Sequence, residues 1–321
     1  MLAGCVTTQA GRIGADDGRD ACRAQVVALD STGNFFGESI IRGAAIGAVS
    51  GALLGGLIAA ASGQRGGNIA AGAAIGAVGG AAVGGTAGYF SARQQQAQDQ
   101  AALNMAIAND LAAENAQLDR TQIAFNQLMD CRFGNAQRIR ADLRAGRLTQ
   151  AQAEAMMGDV RSRTQRDIQL AQTINGEIGR RGAEFDTAFD QVAPGVKEQA
   201  QSGARIGRIV PVQTRAPVVL KLRPDSTAPD VVQVSAQEQV RLSPAQNGYT
   251  LVETSSGVRG YAPVSAFPEA RNLGARPAVA SGAAGDVRSL AASNIARRDN
   301  FTETVSNAER LAQGQGFEIA S

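Results

Sequence analysis

Two glycine-rich stretches constrain this chain more than anything else in it. Residues 43–56 read GAAIGAVSGALLGG and residues 72–85 read GAAIGAVGGAAVGG, identical at eleven of fourteen positions. In the first copy Gly43, Gly47, Gly51 and Gly55 fall four apart; in the second Gly72, Gly76, Gly80, Gly84 and Gly88 do the same. A spacing of four places the glycines on one helical face, drifting slowly around it. That face has no side chains, so another backbone can approach closely, which is the small-xxx-small logic of helix packing in membranes. Each glycine costs about 1 kcal/mol relative to alanine in a water-exposed helix, so a ladder this dense does not hold as a surface helix by propensity. From Gly43 to Ala92 only Arg65 is charged, in the turn sequence SGQRGGN at 62–68. Each half, residues 40–61 and 69–90, has roughly the 20 residues that span a bilayer. The expectation is a membrane hairpin over 40–90 with both ends on one side. A flexible Gly/Ala linker and a buried helical hairpin are the competing readings.

Composition narrows the functional classes. The net charge of +2, from 31 basic and 29 acidic residues, predicts no nucleic-acid partner. Histidine is absent, which removes the commonest general base and metal ligand. The three cysteines show no CxxC spacing, and no P-loop, GxSxG or paired-carboxylate signature is present. The chain is therefore expected to be no enzyme, with no catalytic residues, no metal and no cofactor. Aromatics are 4% and much of the 44% hydrophobic content is alanine, which argues for separate modules rather than one large core.

Residues 91–200 predict a long helical hairpin or coiled coil. Leu111, Leu118 and Phe125 lie seven apart, with Ile107 and Leu128 offset, forming a seam interrupted by Glu114 and Thr121. Gly134 is a candidate break, after which Ile139 and Leu143 continue the helix. Thr149 and Gln152 form a capping box that opens a second helix. Met157, Thr164, Ala171, Ile178, Phe185 and Val192 then repeat every seven, supported by Val160 and Ile174, until Pro194-Gly195 ends the run. The short connection implies antiparallel neighbours. This rod is read either as a spacer or oligomerisation stalk or simply as a packed bundle.

Residues 217–269 change character to short β-branched runs separated by Pro, Asn-Gly and Ser-Gly turns, which predicts a small all-β domain. The fold class is thus multidomain: α-helical, with a glycine-zipper hairpin and a long antiparallel hairpin, followed by a small all-β barrel. Residues 6–39 are read as an N-terminal arm, 201–216 as a linker and 270–321 as a flexible tail with a short amphipathic helix near 290–313.

Three resemblances add to this. Leu2-Ala3-Gly4-Cys5 resembles the lipobox of bacterial lipoproteins, so residues 1–5 look like the remnant of a signal peptide, with Cys5 the lipidation site and a leader encoded upstream. With Cys5 so used, Cys22 and Cys131 remain as an even pair for a disulfide in an oxidising compartment. That bridge requires the arm to climb the stalk or the stalk to bend; two buried free cysteines are the alternative. The glycine repeats resemble the glycine-zipper domain of the 17-kDa surface antigen and related outer-membrane lipoproteins. Residues 217–269 resemble the bacterial SH3 (SH3b) family. Leu220-Lys221-Leu222-Arg223-Pro224 stands at the opening strand, Asn247-Gly248-Tyr249 at the N-G-W turn, Gly257 and Gly260-Tyr261-Ala262 at the G-x-x-G-W-V segment, and Phe267 at the closing apolar position. Both usual tryptophans are tyrosines here. The resemblance implies a surface for peptidoglycan or peptides, with Tyr249, Tyr261, Phe267, Arg223 and Arg259 as candidate ligand-binding residues. In a barrel this small the tyrosines and Phe267 read first as core or half-buried residues.

Together these imply a non-catalytic lipoprotein of the Gram-negative envelope, in the outer membrane facing the periplasm, as Val6 after the lipobox implies. Lipid and zipper would anchor it, and the SH3b module would tether it to peptidoglycan or a periplasmic protein. A homo-oligomeric pore or secretion collar, and an adaptor for a cell-wall hydrolase, are the other readings.

Overall fold

In a computed structural model, residues 9–37, 88–204, 209–244, 247–273, 282–283 and 285–319 are described. Cys5 and the glycine ladder, Gly88 apart, lie outside them. Among the described residues no helix is long and apolar enough to cross a membrane. The architecture is helical with a six-stranded antiparallel sheet between the penultimate and last of its helices.

The hairpin comes from helices α4 (Gln100–Arg144) and α5 (Gln150–Val192). Asp99 caps α4 by accepting the Ala102 N–H at 2.7 Å. The helix runs through Gly134 unbroken, so the expected break is absent: one interior glycine costs about 1 kcal/mol, less than the packing of Phe133, Ala136 and Ile139 around it, all buried. Gly146, at φ +69°, turns the chain, and Thr149 opens α5 with the reciprocal capping box. The seam residues Ile107, Leu111, Leu118, Phe125 and Leu128 are buried, as are Met157, Thr164, Ala171, Ile178 and Phe185. Val192 is half-buried.

The hairpin does not stand alone. The N-terminal arm forms α1 (Gln9–Ile13) and α2 (Arg23–Gly37). Val26, Leu29, Gly33 and Phe36 line the buried stripe of α2. Gly33 is where α2 comes closest to α5: a Cβ there would sit 2.3 Å from Ile174 Cδ1. The tail carries α7 (Val287–Gln313), matching the amphipathic helix expected near 290–313, capped by Asp286 and packed along both hairpin helices. Its buried Leu290, Phe301, Val305 and Leu311 supply apolar area that the alanine-rich hairpin lacks. On α4, Gln117, Cys131 and Asn135 meet α2, whereas Asn115, Asp119 and Gln122 meet α7. The two added helices therefore occupy opposite grooves of the hairpin. A short α3 (Gly88–Gln96) folds back at one end, its Tyr89 ring 5.1 Å from that of Phe185.

A polar layer divides the bundle core. Glu114 and Arg181, both buried, pair at 2.6 Å, and Asn294 Nδ2 donates to Asn115 Oδ1 at 2.9 Å. Leu111 and Phe185 belong to the apolar cluster on one side; Leu118 and Ile178 belong to the cluster on the other. The glutamate that interrupts the heptad seam is therefore paired inside it, and such layers fix register, because a slip would leave charge unpaired in the interior.

Helix α6 (Val196–Ala204) follows, then strands β1 (Val210–Gln213), β2 (Val218–Lys221), β3 (Asp230–Val234), β4 (Gln239–Pro244), β5 (Tyr249–Thr254) and β6 (Arg259–Pro263). Their order is β1-β4-β5-β6-β2-β3, with β1 and β3 at the edges. Strand β1 lies within the stretch expected to be linker; it pairs with β4, Val212 opposite Val240. The inner face carries Val212, Leu220, Val232, Val234, Leu242, Val252 and Ala262, all buried and continuous with the lower bundle cluster.

Candidate functional site

Cross-strand partners share a face of a sheet and alternate residues point the same way. Tyr249 opposes Pro263, and Leu251 opposes Tyr261 on β6 and Ser243 on β4. Lys221 opposes Tyr261. Tyr249, Leu251, Tyr261 and Pro263 therefore share the outer face, with Leu251 buried among them and Pro263 exposed. One row along, Glu253 accepts hydrogen bonds from Arg241 and from Arg259 Nε, the latter at 2.6 Å. Burial raises the Glu253 carboxyl, but the two arginines outweigh it and hold it below its usual range.

Of the five candidate ligand residues, only Tyr249 and Tyr261 lie on this face, both half-buried. Phe267 is 2% exposed and packs in the core, so it belongs to the sheet's foundation rather than to a groove. The two arginines are engaged within the chain. Arg223 Nη2 pairs with Asp130 of α4 at 2.5 Å, and Arg259 reaches Glu303 of α7 at 3.9 Å as well as Glu253. They clamp the sheet to the bundle, helped by Gln137 Nε2, which donates to Asp230 O at 3.3 Å. Cationic recognition of a wall anion by these two side chains would first require breaking those contacts.

The other sites lie along the bundle. Cys22 and Cys131 are joined in a disulfide, with Cα atoms 5.9 Å apart. The arm reaches it by running antiparallel to α4, Cys22 beside Cys131 and Thr32 beside Gln117. No bent stalk is needed. Next to the bridge lies a charged knot that sequence reasoning missed. Buried Arg132 donates to Asp20 at 2.5 and 2.9 Å and to Asp167 at 2.6 Å. Burial pushes the Asp167 carboxyl up to about 6, only partly offset by Arg132. Burial also works against Asp20, yet hydrogen bonds from Arg132 and the Cys22 N–H hold it below its usual range. The available signal was adjacency: an Asp two residues before one cysteine and an Arg directly after the other. Among the described residues no group of Cys, Asp or Glu is arranged to hold a metal ion.

The positions of the two chain ends flanking the glycine ladder are as informative as any side chain. Phe35, near the end of α2, lies 4.6 Å from the Arg181 guanidinium; Tyr89, near the start of α3, packs on Phe185 and donates to Asp110. Arg181 and Phe185 are one turn apart on α5. The chain thus leaves and re-enters the bundle at one level. The sheet docks elsewhere on α4, at Asp130 and Gln137, roughly 30–40 Å along the helix from Asp110 at 1.5 Å per residue. Compared with protein-family models, curated proteins and solved structures, the chain matches none of them.

Proposed function

We propose that this chain is a non-catalytic envelope tether. Lipid on Cys5 and a membrane hairpin hold one end; the hairpin lies within residues 40–87, because Gly88–Phe90, expected in it, belong to α3 on the bundle. The helical bundle acts as a spacer, and an SH3-like module presents Tyr249 and Tyr261 to peptidoglycan or a wall-associated protein. One observation carries the reading: the described segments flanking the glycine ladder, at Phe35 and Tyr89, meet α5 at one level of the bundle, and the sheet docks on α4 roughly 30–40 Å from that level. A hairpin entering a membrane needs that arrangement of its ends, and a tether needs that separation. Two weak attachments in one chain raise each other's effective concentration. The disulfide supports an oxidising compartment. Short antiparallel strands, the Asn247-Gly248 turn with both φ angles positive, and the inner apolar face support the SH3-like assignment of the sheet.

An oligomeric collar is the second reading, favoured by Met105 and Ile123, which are 63% and 55% exposed on α4. They are eighteen residues apart, five full turns, so they share an outward face. Fractionation of cells producing the chain from its full gene, with and without Cys5→Ala, tests the anchor, and purified sacculi test the module. The expected result is a membrane-bound protein that pellets with sacculi and is released by Tyr249→Ala with Tyr261→Ala. A product soluble in the cytoplasm overturns the tether, and a cross-linked ladder ending at a fixed size without sacculus binding selects the collar.

A further inference from the structure

The disulfide is built asymmetrically. Cys22 is 0% exposed, whereas Cys131 is half-buried and is one of the residues lining a wide, shallow hollow of about 710 Å³. Gly134 lies on the rim of that hollow, one turn along α4, and a Cβ added there would meet nothing within 4 Å. The glycine that looks like a helix break therefore leaves Cys131 unroofed. The Cys131 side of the bridge, not the Cys22 side, faces solvent.

The hidden sulfur is equipped to accept charge. Cys22 immediately precedes α2, and its carbonyl accepts the first helical hydrogen bond, from Val26 N at 3.1 Å. A cysteine at a helix N-terminus has its thiolate stabilised by the helix dipole. Asn135 Nδ2 donates to Cys22 Sγ at 3.2 Å, and Arg138 donates to Asn135 Oδ1, which turns the amide N–H toward the sulfur. The nearby Asp20 carboxylate is neutralised by Arg132.

We propose that Cys22–Cys131 is an exchangeable latch, opened by a dithiol reductant that attacks Cys131 with Cys22 as the leaving group. The attacking thiolate forms a bond to the Cys131 sulfur as the Cys22–Cys131 bond breaks. The electron pair departs on Cys22, which is held as a thiolate by Asn135 and the helix and then takes a proton from solvent. The second thiol of the reductant displaces Cys131 and leaves as part of the reductant's own disulfide. Two thiols are oxidised, one protein disulfide is reduced, and the arm that leads into the glycine ladder loses its covalent hold on α4. Leaving groups of lower pKa depart faster, so direction and rate follow from the same asymmetry.

The test uses the folded full-length chain, with glutathione as the trapping probe and dithiothreitol for rates. Mass mapping after brief exposure to glutathione is expected to find the mixed disulfide on Cys131. Gly134→Phe, which roofs the hollow, is expected to slow reduction about tenfold. Asn135→Leu, which leaves the hollow open, slows it several-fold through the poorer leaving group. Circular dichroism checks that each variant is folded, and either one suffices. Glutathione on Cys22, a rate unchanged in the folded variants, or reduction that proceeds only at the rate of global unfolding overturns the proposal.

Discussion

Replacing Glu114 with alanine would take from Arg181 the carboxylate that it faces in the core. In the folded chain Arg181 is 5% exposed, and its Nε and Nη2 donate to Glu114 Oε1 and Oε2 at 3.1 and 2.6 Å. Removing one member of a buried ion pair costs about 3–5 kcal/mol, because the remaining charge stays in the interior without compensation. Two features pull the expected loss to the lower end. The Phe35 ring 4.6 Å from the guanidinium retains a cation–π contact worth about 0.5–2 kcal/mol. Glu184, one turn along α5 and close enough for its titration to feel Arg181, offers a substitute carboxylate. The expected loss for Glu114→Ala is therefore about 3 kcal/mol, read from urea denaturation followed by circular dichroism. The paired replacement Glu114→Leu with Arg181→Met removes both charges at similar volume and is expected within about 1 kcal/mol of the parent, or above it. The single and double variants form a cycle that isolates the coupling. A single-variant loss below about 1 kcal/mol would show that water reaches the pair and that the polar layer does not act as buried charge.

Three further outcomes follow from particular contacts. Cys131→Ser opens a loop of 109 residues and is expected to lower stability by about 2–5 kcal/mol, with the chain-entropy value at the upper end; a melting temperature equal to the parent's would refute this. Asp167 has its carboxyl raised from 3.8 to about 6 in the folded chain, so between those values the folded state binds the extra proton and stability falls as pH rises. Relative to Asp167→Asn, the parent should lose up to about 3 kcal/mol across that window, and a flat difference in denaturation midpoints from pH 4 to 6 would contradict the burial argument. Ending the chain after Asp286 removes α7 and uncovers both apolar clusters; the truncated protein should bind a hydrophobic dye and lose cooperative melting, whereas a sharp transition would mean that the hairpin and α2 suffice.

What was legible in the sequence was local or periodic. The hairpin seam, the Thr149–Gln152 capping box and the strand runs declare themselves through spacing, turn chemistry and side-chain type. What was not legible depends on partners distant in the chain. Arg223 reads as a surface cation until Asp130 stands beside it, and Glu114 reads as a flaw in a heptad until Arg181 faces it. Helix α7 was visible as a short amphipathic stretch, but a stripe such as Leu290, Phe301 and Leu311 does not name the groove that receives it. The arm was missed because α2 mixes Gly33, Thr32 and Asn34 into its turns, and its helix depends on tertiary burial more than on propensity. Strand β1 is four residues long and contains Pro211, too little signal for a strand without β4 to pair with. At the sheet the tyrosines were legible as a pair, but their neighbour Leu251 and the loss of both arginines to the bundle required the register.

The placement of α7 also sets the order in which this protein can fold. Its side chains complete both apolar clusters, through contacts with α4 that span about 175–180 residues, as Asn115 to Leu290 and Asn294 illustrate. Because α7 follows the sheet in the chain, the bundle cannot close while the sheet is still being synthesised. Such non-local closure is slow, since loop entropy must be overcome before the contacts form. A nascent chain that has passed α5 therefore keeps both apolar clusters open until α7 has been made.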